Sequence, residues 1–155
     1  MAKNLSKAQI NDLSLQYLPR LTVKDADNFL QKSEIRSAKT RKLLKCTLDI
    51  SYGDSPLQNL DIFPSARKNS PINVFIHGGY WRAPDIEKRT YSHIAAPLVA
   101  AGSTVVIPNY DLCPDVRITD IVNQIRHAIK WVYKNIKEFN GDPRRIFVSG
   151  HSAGG

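Results

Sequence analysis

A serine between two glycines is the clearest candidate for chemistry in the sequence. The motif runs through five consecutive residues: Gly150, His151, Ser152, Ala153 and Gly154. It fits the pattern G-x-S-x-G and directly follows an apolar run that is typical of a buried strand. Small residues allow the sharp strand-to-helix turn that lifts a serine oxygen above a sheet, where it can act as a nucleophile. By itself the pattern is weak, because a chance match in a chain of this length has a probability of roughly 5%.

A glycine-rich segment follows an earlier apolar run. It consists of His77, Gly78, Gly79, Tyr80 and Trp81. An oxyanion must be met by preorganised backbone N–H groups, and glycines let the main chain approach without a side chain in the way. The alternative interpretation is a Gly-Gly turn after a strand with Trp81 in the core, and this segment by itself does not decide between the two.

Three short apolar runs predict strands buried on both faces of a parallel sheet. They are residues 72–76, 104–107 and 145–148. Helical segments separate them, as parallel pairing requires. One of these helices, over 87–101, contains Pro97, which should cost about 3 kcal/mol or introduce a kink.

The clearest helix lies between the last two of these strands. Its apolar face consists of Ile118, Ile121, Ile125, Ile129, Val132 and Ile136. This spacing is typical of a helix that packs one stripe on a core. Thr119 is the predicted N-cap, and Gly141 followed by Pro143 is predicted to end the helix.

The sequence before residue 64 predicts a helical arm and then a hairpin. Ser6 with Gln9 matches a capping box for a first helix that stops at Pro19. Thr22 is the predicted cap of a second helix. The apolar face of that second helix consists of Val23, Ala26, Phe29 and Leu30. Alternating residues 44–50 and the run 57–63 predict the two strands of the hairpin.

Composition indicates one soluble globular domain. The chain has 155 residues, of which 42% are hydrophobic and 23% charged, and this excludes disordered, collagenous and membrane classes. The net charge is +8, and residues 1–45 supply +6 of it, from ten basic and four acidic side chains. The basic run consists of Arg36, Lys39, Arg41, Lys42 and Lys45. It has little aromatic interleaving and no nucleic-acid motif, so it is predicted to be a solvated face with no nucleic-acid partner.

The number of cysteines and the N-terminal residues indicate the cellular compartment. Cys46 and Cys113 fit no metal-ligand spacing, so we expect small buried thiols in a reducing compartment and no metal site. The N-terminal residues show no apolar signal region, and no apolar run approaches the roughly 18 residues of a membrane span. The sequence therefore predicts a cytoplasmic protein without a membrane partner.

Taken together, the two motifs fall in an order and at positions that one fold demands. Here the sequence resembles the α/β-hydrolase family, and within it the kynurenine formamidase (arylformamidase) and related esterase branch. The stretches Gln58–Pro64 and Asn109–Pro114 support the resemblance, which runs from about residue 17 to the last residue. It implies an α/β-hydrolase fold, with a mostly parallel sheet and flanking helices, truncated just after the serine turn. The implied domains are a helical arm over 1–40 and an incomplete hydrolase domain over 41–155.

The resemblance also implies a role for each motif residue. Ser152 is the nucleophile, and the backbone N–H groups of Gly79, Tyr80 and Ala153 form the oxyanion hole. The loop and turn residues of the two motifs are His77, Gly78, Trp81, Gly150 and Gly154. His77 organises its loop and His151 points away from the reaction, so neither is the general base. No cofactor or metal is implied.

The chain departs from the family pattern after the serine. The family order is Ser, then Asp or Glu, then His, and the sequence given ends three residues after Ser152. His93 and His127 precede the serine and are therefore predicted to be structural. The acid and the base are thus expected outside this sequence, and the 155-residue chain is expected to be inactive and poorly folded alone.

Three functional hypotheses follow. The leading one is a serine hydrolase that cleaves N-formyl-L-kynurenine to L-kynurenine and formate, a step of tryptophan catabolism, with an aryl formamide as its small-molecule partner. The second is a carboxylesterase of the same branch. The third is a non-catalytic truncated isoform, which a stop codon directly after Gly155 would favour. The pair Tyr80 and Trp81 resembles the formamidase form, since many related esterases carry a third glycine at the first of these positions. A homodimer is compatible with the complete enzyme.

Overall fold

The fold is described from a computed structural model that covers residues 7–17 and 22–155. The chain divides into two units, residues 1–32 and residues 33–155. Two long helices come first: α1, Lys7–Tyr17, and α2, Ala26–Leu43. The predicted capping box at Ser6 and the predicted stop at Pro19 lie outside the described residues.

The second helix differs from its prediction in start, length and packing. It begins at Ala26 rather than after Thr22, because Asp25 takes a positive φ of 60° and bends the chain just before it. Its predicted apolar face is wrong in part, since Val23 and Phe29 are exposed. The helix extends to Leu43, so the first strand begins later than the alternating pattern indicated.

Five strands form one mixed sheet. They are β1, Thr47–Ser51; β2, Asn59–Phe63; β3, Ser70–Ile76; β4, Thr104–Pro108; and β5, Gly141–Gly150. Their order across the sheet is β1-β2-β4-β3-β5. The predicted hairpin β1–β2 is confirmed, and β2 also pairs antiparallel with β4. The pairs β3–β4 and β3–β5 are parallel, as the apolar runs predicted.

Helices cover both faces of the sheet. On one face, α4, Ile118–Asn135, packs Val132 on a cluster of strand residues. The strand residues of that cluster are Leu60, Ile62, Ile72, Val74 and Val106. On the other face lies a 3₁₀ helix, Lys88–Ile94, which continues into α3, Ala95–Ala100. The buried core of that face consists of Phe63, Phe75, Ala95, Val105 and Ile107.

The segment predicted as one helix over 87–101 is therefore two. Pro97 is the third residue of α3, and the first-turn N–H groups of an α-helix have no partner within the helix. Pro97 therefore stands where the 3₁₀ helix changes into α3, a position that tolerates proline better than the interior of a long helix does.

The ends of α4 also correct the prediction. The N-cap is Arg117 rather than Thr119, and its backbone N–H donates to Asp120 Oδ2 at 3.0 Å. After Asn135 the chain tightens into a 3₁₀ turn, Ile136–Phe139, and leaves it at Asn140, whose φ is 65°. Asn140 thus takes the left-handed position that Gly141 was predicted to take, and Gly141 begins β5.

The predicted burial of the last strand is wrong, whereas the predicted exposure of the basic run holds at four of its five residues. β5 is not buried on both faces, because it is the outer strand of the described sheet, with Phe147 60% and Val148 51% exposed. The basic run is exposed as predicted at Arg36, Lys39, Lys42 and Lys45. Arg41 is half-buried, and its guanidinium donates to the carbonyl of Arg89 at 2.6 Å and to Ser92 Oγ at 2.8 Å. Both free cysteines are half-buried. In the part of the chain described, no helix combines the length and apolar character that crossing a membrane requires.

Candidate active site

Parallel pairing of β3 with β5 brings the two motifs together. The last paired residues are Ile76 and Gly150, and each motif begins directly beside this pair. The carboxyl ends of parallel strands meet at one edge of a sheet, which is where α/β proteins bind ligands. The backbone N–H of His151 continues the ladder by donating to the carbonyl of Ile76 at 3.1 Å.

Ser152 lies at the apex of a strained turn. Its φ is 55°, in the left-handed region that a residue with a side chain rarely adopts. The turn closes as a 3₁₀ helix, Ser152–Gly154, in which the N–H of Gly154 donates to the carbonyl of His151 at 3.0 Å. The serine side chain is exposed. This strain after a strand is the geometry that G-x-S-x-G requires for an accessible nucleophile.

The two glycines of the serine motif are required by close backbone contact. A methyl group at Gly150 would lie 1.9 Å from the carbonyl oxygen of Gly154. A methyl group at Gly154 would lie 2.3 Å from the carbonyl oxygen of Ile76. In both cases the obstacle is backbone, so no side-chain rotation relieves it. The spacing of glycines in the motif therefore follows from how tightly the turn folds back on β5 and β3.

The loop after β3 has a positive φ at three consecutive residues, two of which carry side chains. Gly79, Tyr80 and Trp81 have φ values of 123°, 53° and 58°. A left-handed conformation costs a residue with a side chain roughly 1–2 kcal/mol, so surrounding contacts must hold the loop. The N–H groups of Arg82 and Ala83 both donate to the carbonyl of Gly79, at 3.0 and 2.9 Å.

Gly78 joins the loop to the serine turn. A methyl group at residue 78 would lie 2.8 Å from the carbonyl oxygen of His151 and 3.1 Å from Ser152 Cβ. The backbone of the loop is therefore in direct contact with the turn that carries Ser152. Both motifs predicted from the sequence form one site, as their positions after β3 and β5 indicated.

His77 lies beneath this loop. It is buried and stacks on Tyr110, with ring centroids 4.4 Å apart. Its Nδ1 is 2.7 Å from the Gly78 carbonyl oxygen, and its Nε2 is 2.9 Å from Asn109 Oδ1. Both oxygens are acceptors, so a neutral ring donates to only one of them. Burial lowers the pKa of His77, which favours the neutral ring.

Asn109 is a site residue whose role sequence analysis missed. It is buried directly after β4, and its N–H donates to the carbonyl of Asn59 at 2.8 Å. Its side-chain oxygen accepts the backbone N–H of Lys88 at 3.2 Å, and its side-chain NH₂ donates to Glu87 Oε2 at 3.4 Å. These contacts set which end of the amide faces His77. The available signal was its position at the carboxyl end of an apolar strand.

The other histidines have different surroundings. His151 is exposed, and its Nδ1 lies 3.2 Å from the hydroxyl oxygen of Tyr91. His93 Nδ1 lies 3.0 Å from Ser37 Oγ and 3.2 Å from the carbonyl oxygen of Thr90. His127 is exposed on α4. The predicted roles of Gly79, Tyr80 and Ala153 as oxyanion donors depend on a bound substrate and stay predictions.

An apolar cavity of about 210 Å³ opens beside the serine turn. Its lining includes Ile76, Trp81, Tyr110, Ile121, Ile125 and Ala153. Trp81 also packs with the buried cluster of Tyr110, Ile121 and Ile125, so this ring is both a cavity wall and a core residue. Among residues 7–17 and 22–155, no cluster of three His, Cys, Asp or Glu side chains is arranged to hold a metal ion.

The sheet order, the serine turn after β5 and the glycine loop after β3 define an α/β hydrolase. The family model described as BD-FAE matches residues 60–155, more than half of the chain. The chain therefore belongs to the BD-FAE family of α/β hydrolases.

The curated relatives of this chain include kynurenine formamidases and carboxylesterases. The chain is 29% identical over 118 residues to a kynurenine formamidase of Salmo salar, which covers 75% of this chain and 38% of that protein. It is 34% identical over 107 residues to a kynurenine formamidase of Drosophila melanogaster, covering 68% of this chain and 34% of that protein. It is 38% identical over 93 residues to a carboxylesterase of Mycobacterium tuberculosis, covering 59% of this chain and 28% of that protein. The chain thus spans about a third of the length of these relatives.

Solved structures show the same fold. A thioesterase candidate from Silicibacter sp. tm1040 superposes with a TM-score of 0.78 at 32% identity, over 88% of this chain and 50% of that one. Esterase B from Lactobacillus rhamnosis superposes with a TM-score of 0.69 at 21% identity, over 96% of this chain and 47% of that one. The predicted α/β-hydrolase fold is confirmed.

Proposed function

We propose that this chain carries the nucleophile and the oxyanion hole of a serine hydrolase that cleaves aryl formamides, with N-formyl-L-kynurenine as the substrate. The observation that carries the proposal is the contact between Gly78 and the turn of Ser152. It puts a strained, exposed serine beside a strained glycine loop, which is the pairing that acyl transfer needs.

The reaction proceeds in two steps. Ser152 Oγ attacks the formyl carbon while a base takes the hydroxyl proton, and the carbonyl oxygen becomes an oxyanion. The backbone N–H groups of Gly79, Tyr80 and Ala153 stabilise that oxyanion. The C–N bond then breaks, the proton goes to the departing aryl amine, and a formyl ester of Ser152 remains. Water hydrolyses this ester to formate and restores the serine.

The general base and its acid partner lie outside these 155 residues in this proposal. His77 is buried against Gly78 and Asn109, and no histidine follows Ser152 in this sequence. The family order of nucleophile, acid and histidine requires the last two to come later in the chain. By itself the 155-residue chain is therefore expected to lack turnover.

Two observations favour a formamide over a larger acyl group. Curated relatives include kynurenine formamidases, and the pair Tyr80 and Trp81 resembles the formamidase form of the motif. The Tyr80 side chain is 48% exposed on the glycine loop and offers apolar area to an aryl group. The second candidate is a carboxylesterase, which the similarity to the Mycobacterium tuberculosis enzyme and the apolar cavity beside Ala153 favour.

The test uses full-length protein and a fluorophosphonate probe. Wild type should be labelled at Ser152, and Ser152→Ala should lose both labelling and turnover. Ser149→Ala is the matched control, because Ser149 lies three residues earlier and its hydroxyl donates to Asn73 Oδ1 at 3.0 Å. Labelling at another serine, or turnover by Ser152→Ala, would contradict the proposal.

The substrate is tested on the same preparation. kcat/KM is compared for N-formyl-L-kynurenine, 4-nitrophenyl acetate and 4-nitrophenyl butyrate. The formamide should be preferred after allowance for the more reactive leaving group of the esters. Each extra methylene in a hydrophobic pocket discriminates by only about 1–3 kcal/mol, so some acetate turnover is expected. An equal or better value for the butyrate would support the carboxylesterase instead.

A further inference from the structure

A buried lysine stands apart from the proposed chemistry. The Lys88 side chain is 1% exposed, and its Nζ donates to Asp61 Oδ1 and, at 2.6 Å, to Asp49 Oδ1. Asp61 is fully buried on β2. The other oxygen of Asp49 pairs with Arg89 at 3.0 Å. Four charges of alternating sign therefore run from the interior of the sheet to the surface.

This arrangement is a costly way to stabilise a fold. Removing two charges from water costs more than their attraction commonly returns, and apolar side chains of similar volume often replace a buried pair without loss. Asp61 Oδ2 is buried and has no hydrogen-bond partner among the described residues, which adds to the cost. The hydrogen bond from Lys88 lowers the pKa of Asp49, so the carboxylate of Asp49 stays charged at neutral pH. The buried pair therefore stabilises the fold inefficiently, which points to a further role in holding a neighbouring segment in place.

The backbone of Lys88 leads from this pair to the serine. Lys88 is the first residue of the 3₁₀ helix, and the N-cap Glu87 makes no side-chain cap hydrogen bond. The N–H of Lys88 donates to Asn109 Oδ1 at 3.2 Å, and the same oxygen lies 2.9 Å from His77 Nε2. His77 Nδ1 lies 2.7 Å from the carbonyl oxygen of Gly78, and a methyl group added to Gly78 would lie 3.1 Å from Ser152 Cβ.

We propose that Lys88, held by Asp61 and Asp49, is a positioning residue for the oxyanion loop: its ammonium fixes the start of the 3₁₀ helix, and its backbone N–H fixes the Asn109 amide that orients His77 beneath Gly78. This inference rests on the proposed function. It names Lys88 and Asp61 as residues that affect the rate through the loop, with no contact to the substrate.

The mechanism predicts which kinetic constant changes. A misplaced oxyanion loop binds the ground state nearly as before but stabilises the transition state less, so kcat falls while KM stays close to the wild-type value. A displacement of about 1 Å at a catalytic group costs up to about 100-fold in rate. A purely structural role would lower the amount of folded protein and leave kcat per labelled active site unchanged.

The experiment uses full-length protein with Lys88→Met and the double variant Asp61→Asn/Lys88→Met. The double variant removes both buried charges, so it avoids the unpaired carboxylate that can unfold the single one. Arg89→Met is the matched control, because Arg89 is the neighbouring residue at the exposed end of the same charge row. Active sites are counted by fluorophosphonate labelling, and melting is followed by circular dichroism.

The double variant should melt cooperatively and be labelled at Ser152, with kcat lowered about 10- to 100-fold and KM within about threefold of wild type. Arg89→Met should have the kcat and the KM of the wild type. A folded double variant with wild-type kcat overturns the inference, while labelling of wild type at Ser152 keeps the proposed function. A double variant that does not fold also overturns it, because the charges then serve the fold. Absence of Ser152 labelling in wild type overturns both.

Discussion

Gly78 lies so close to Ser152 that a methyl group at residue 78 would meet Ser152 Cβ at 3.1 Å. The same methyl group would lie 2.8 Å from the backbone oxygen of His151. The contact joins a loop after β3 to a turn after β5. It makes residue 78 a sensitive point of the site, because any side chain there must push the two motifs apart.

Gly78→Ala should therefore reduce catalysis more than stability. We expect kcat/KM of full-length protein to fall by at least about 10-fold, because a displacement of well under 1 Å between nucleophile and oxyanion donors is costly. Gly102→Ala is the control, since Gly102 has a φ of 93° and its added methyl would meet the side chain of Arg67. Gly102→Ala should lower the melting temperature and leave kcat/KM unchanged. Wild-type kcat/KM in Gly78→Ala would contradict the role of the contact.

Gly154→Ala should destabilise the fold itself. Its methyl group would lie 2.3 Å from the backbone oxygen of Ile76 and 2.7 Å from that of His77, and neither oxygen can rotate away. We expect a loss of about 1–3 kcal/mol in the free energy of unfolding, measured by urea denaturation. Gly155→Ala, whose methyl would lie 3.3 Å from the backbone oxygen of Ser152, should cost distinctly less. Equal losses in the two variants would show that the turn relaxes.

Stability should fall as the solution becomes mildly acidic. Burial lowers the pKa of His77 and of His93 below the ordinary value of 6.5, so the unfolded chain binds protons that the folded chain does not. The free energy of unfolding should therefore have its highest value above pH 6.5. It should decrease as the pH falls from 6.5 toward the lowered pKa values of the two histidines. Urea titrations from pH 7.5 to 5 test this.

Substitution distinguishes the contributions of His77 and His93 to this pH dependence. His77→Gln and His93→Gln should each flatten part of the pH dependence, because each removes one group that resists protonation. His127→Gln, on the exposed surface of α4, is the matched control for the substitution itself. If the free energy of unfolding of His77→Gln and of His93→Gln varies with pH as in the wild type, other groups cause the pH dependence.

Tyr80 should set the preference between formamide and ester. Tyr80→Asn removes the ring but keeps a residue type that tolerates the φ of 53° at this position. The ratio of kcat/KM for N-formyl-L-kynurenine to that for 4-nitrophenyl butyrate should fall about 10-fold, in line with the loss of apolar contact to an aryl group. Tyr133→Asn, an exposed tyrosine on α4, serves as the control. An unchanged ratio would remove Tyr80 from substrate selection.

The outer strand should make the 155-residue chain associate with itself when it is expressed alone. β5 leaves Phe147 and Val148 exposed at an edge of the described sheet, and such an edge favours pairing with other chains. Sedimentation should show concentration-dependent oligomers without hydrolase turnover. Phe147→Lys should reduce the association, whereas Tyr133→Lys, at an equally exposed position on α4, should not. A monomer that hydrolyses substrate would contradict both expectations.

The sequence predicted the elements that local pattern determines. Apolar runs placed β3 and β4, the isoleucine spacing placed α4, and the glycine patterns marked both motifs of the site. The burial of β5 was predicted wrongly because burial depends on neighbouring strands, which an apolar run does not reveal.

Other errors have physical causes of the same kind. The N-cap of α4 is Arg117 and not the predicted Thr119, because the carboxylate of Asp120 accepts the backbone N–H of Arg117. The pairing of Lys88 with Asp61 was not predictable, since a lysine in a polar segment carries no sign that it folds onto a distant strand. Asn109 was recognised only as part of a family stretch, because its partners come from four separate places in the chain.

The parallel pairing of β3 with β5 also determines when the site can form during folding. The serine turn and the glycine loop are distant in sequence and meet only through the register that ends at Ile76 and Gly150. Long-range parallel pairing closes a large loop and is slow compared with helix formation or the β1–β2 hairpin. A chain whose helices and hairpin are already native thus still lacks the site until β5 docks. Activity should consequently return after most of the secondary structure in a refolding experiment.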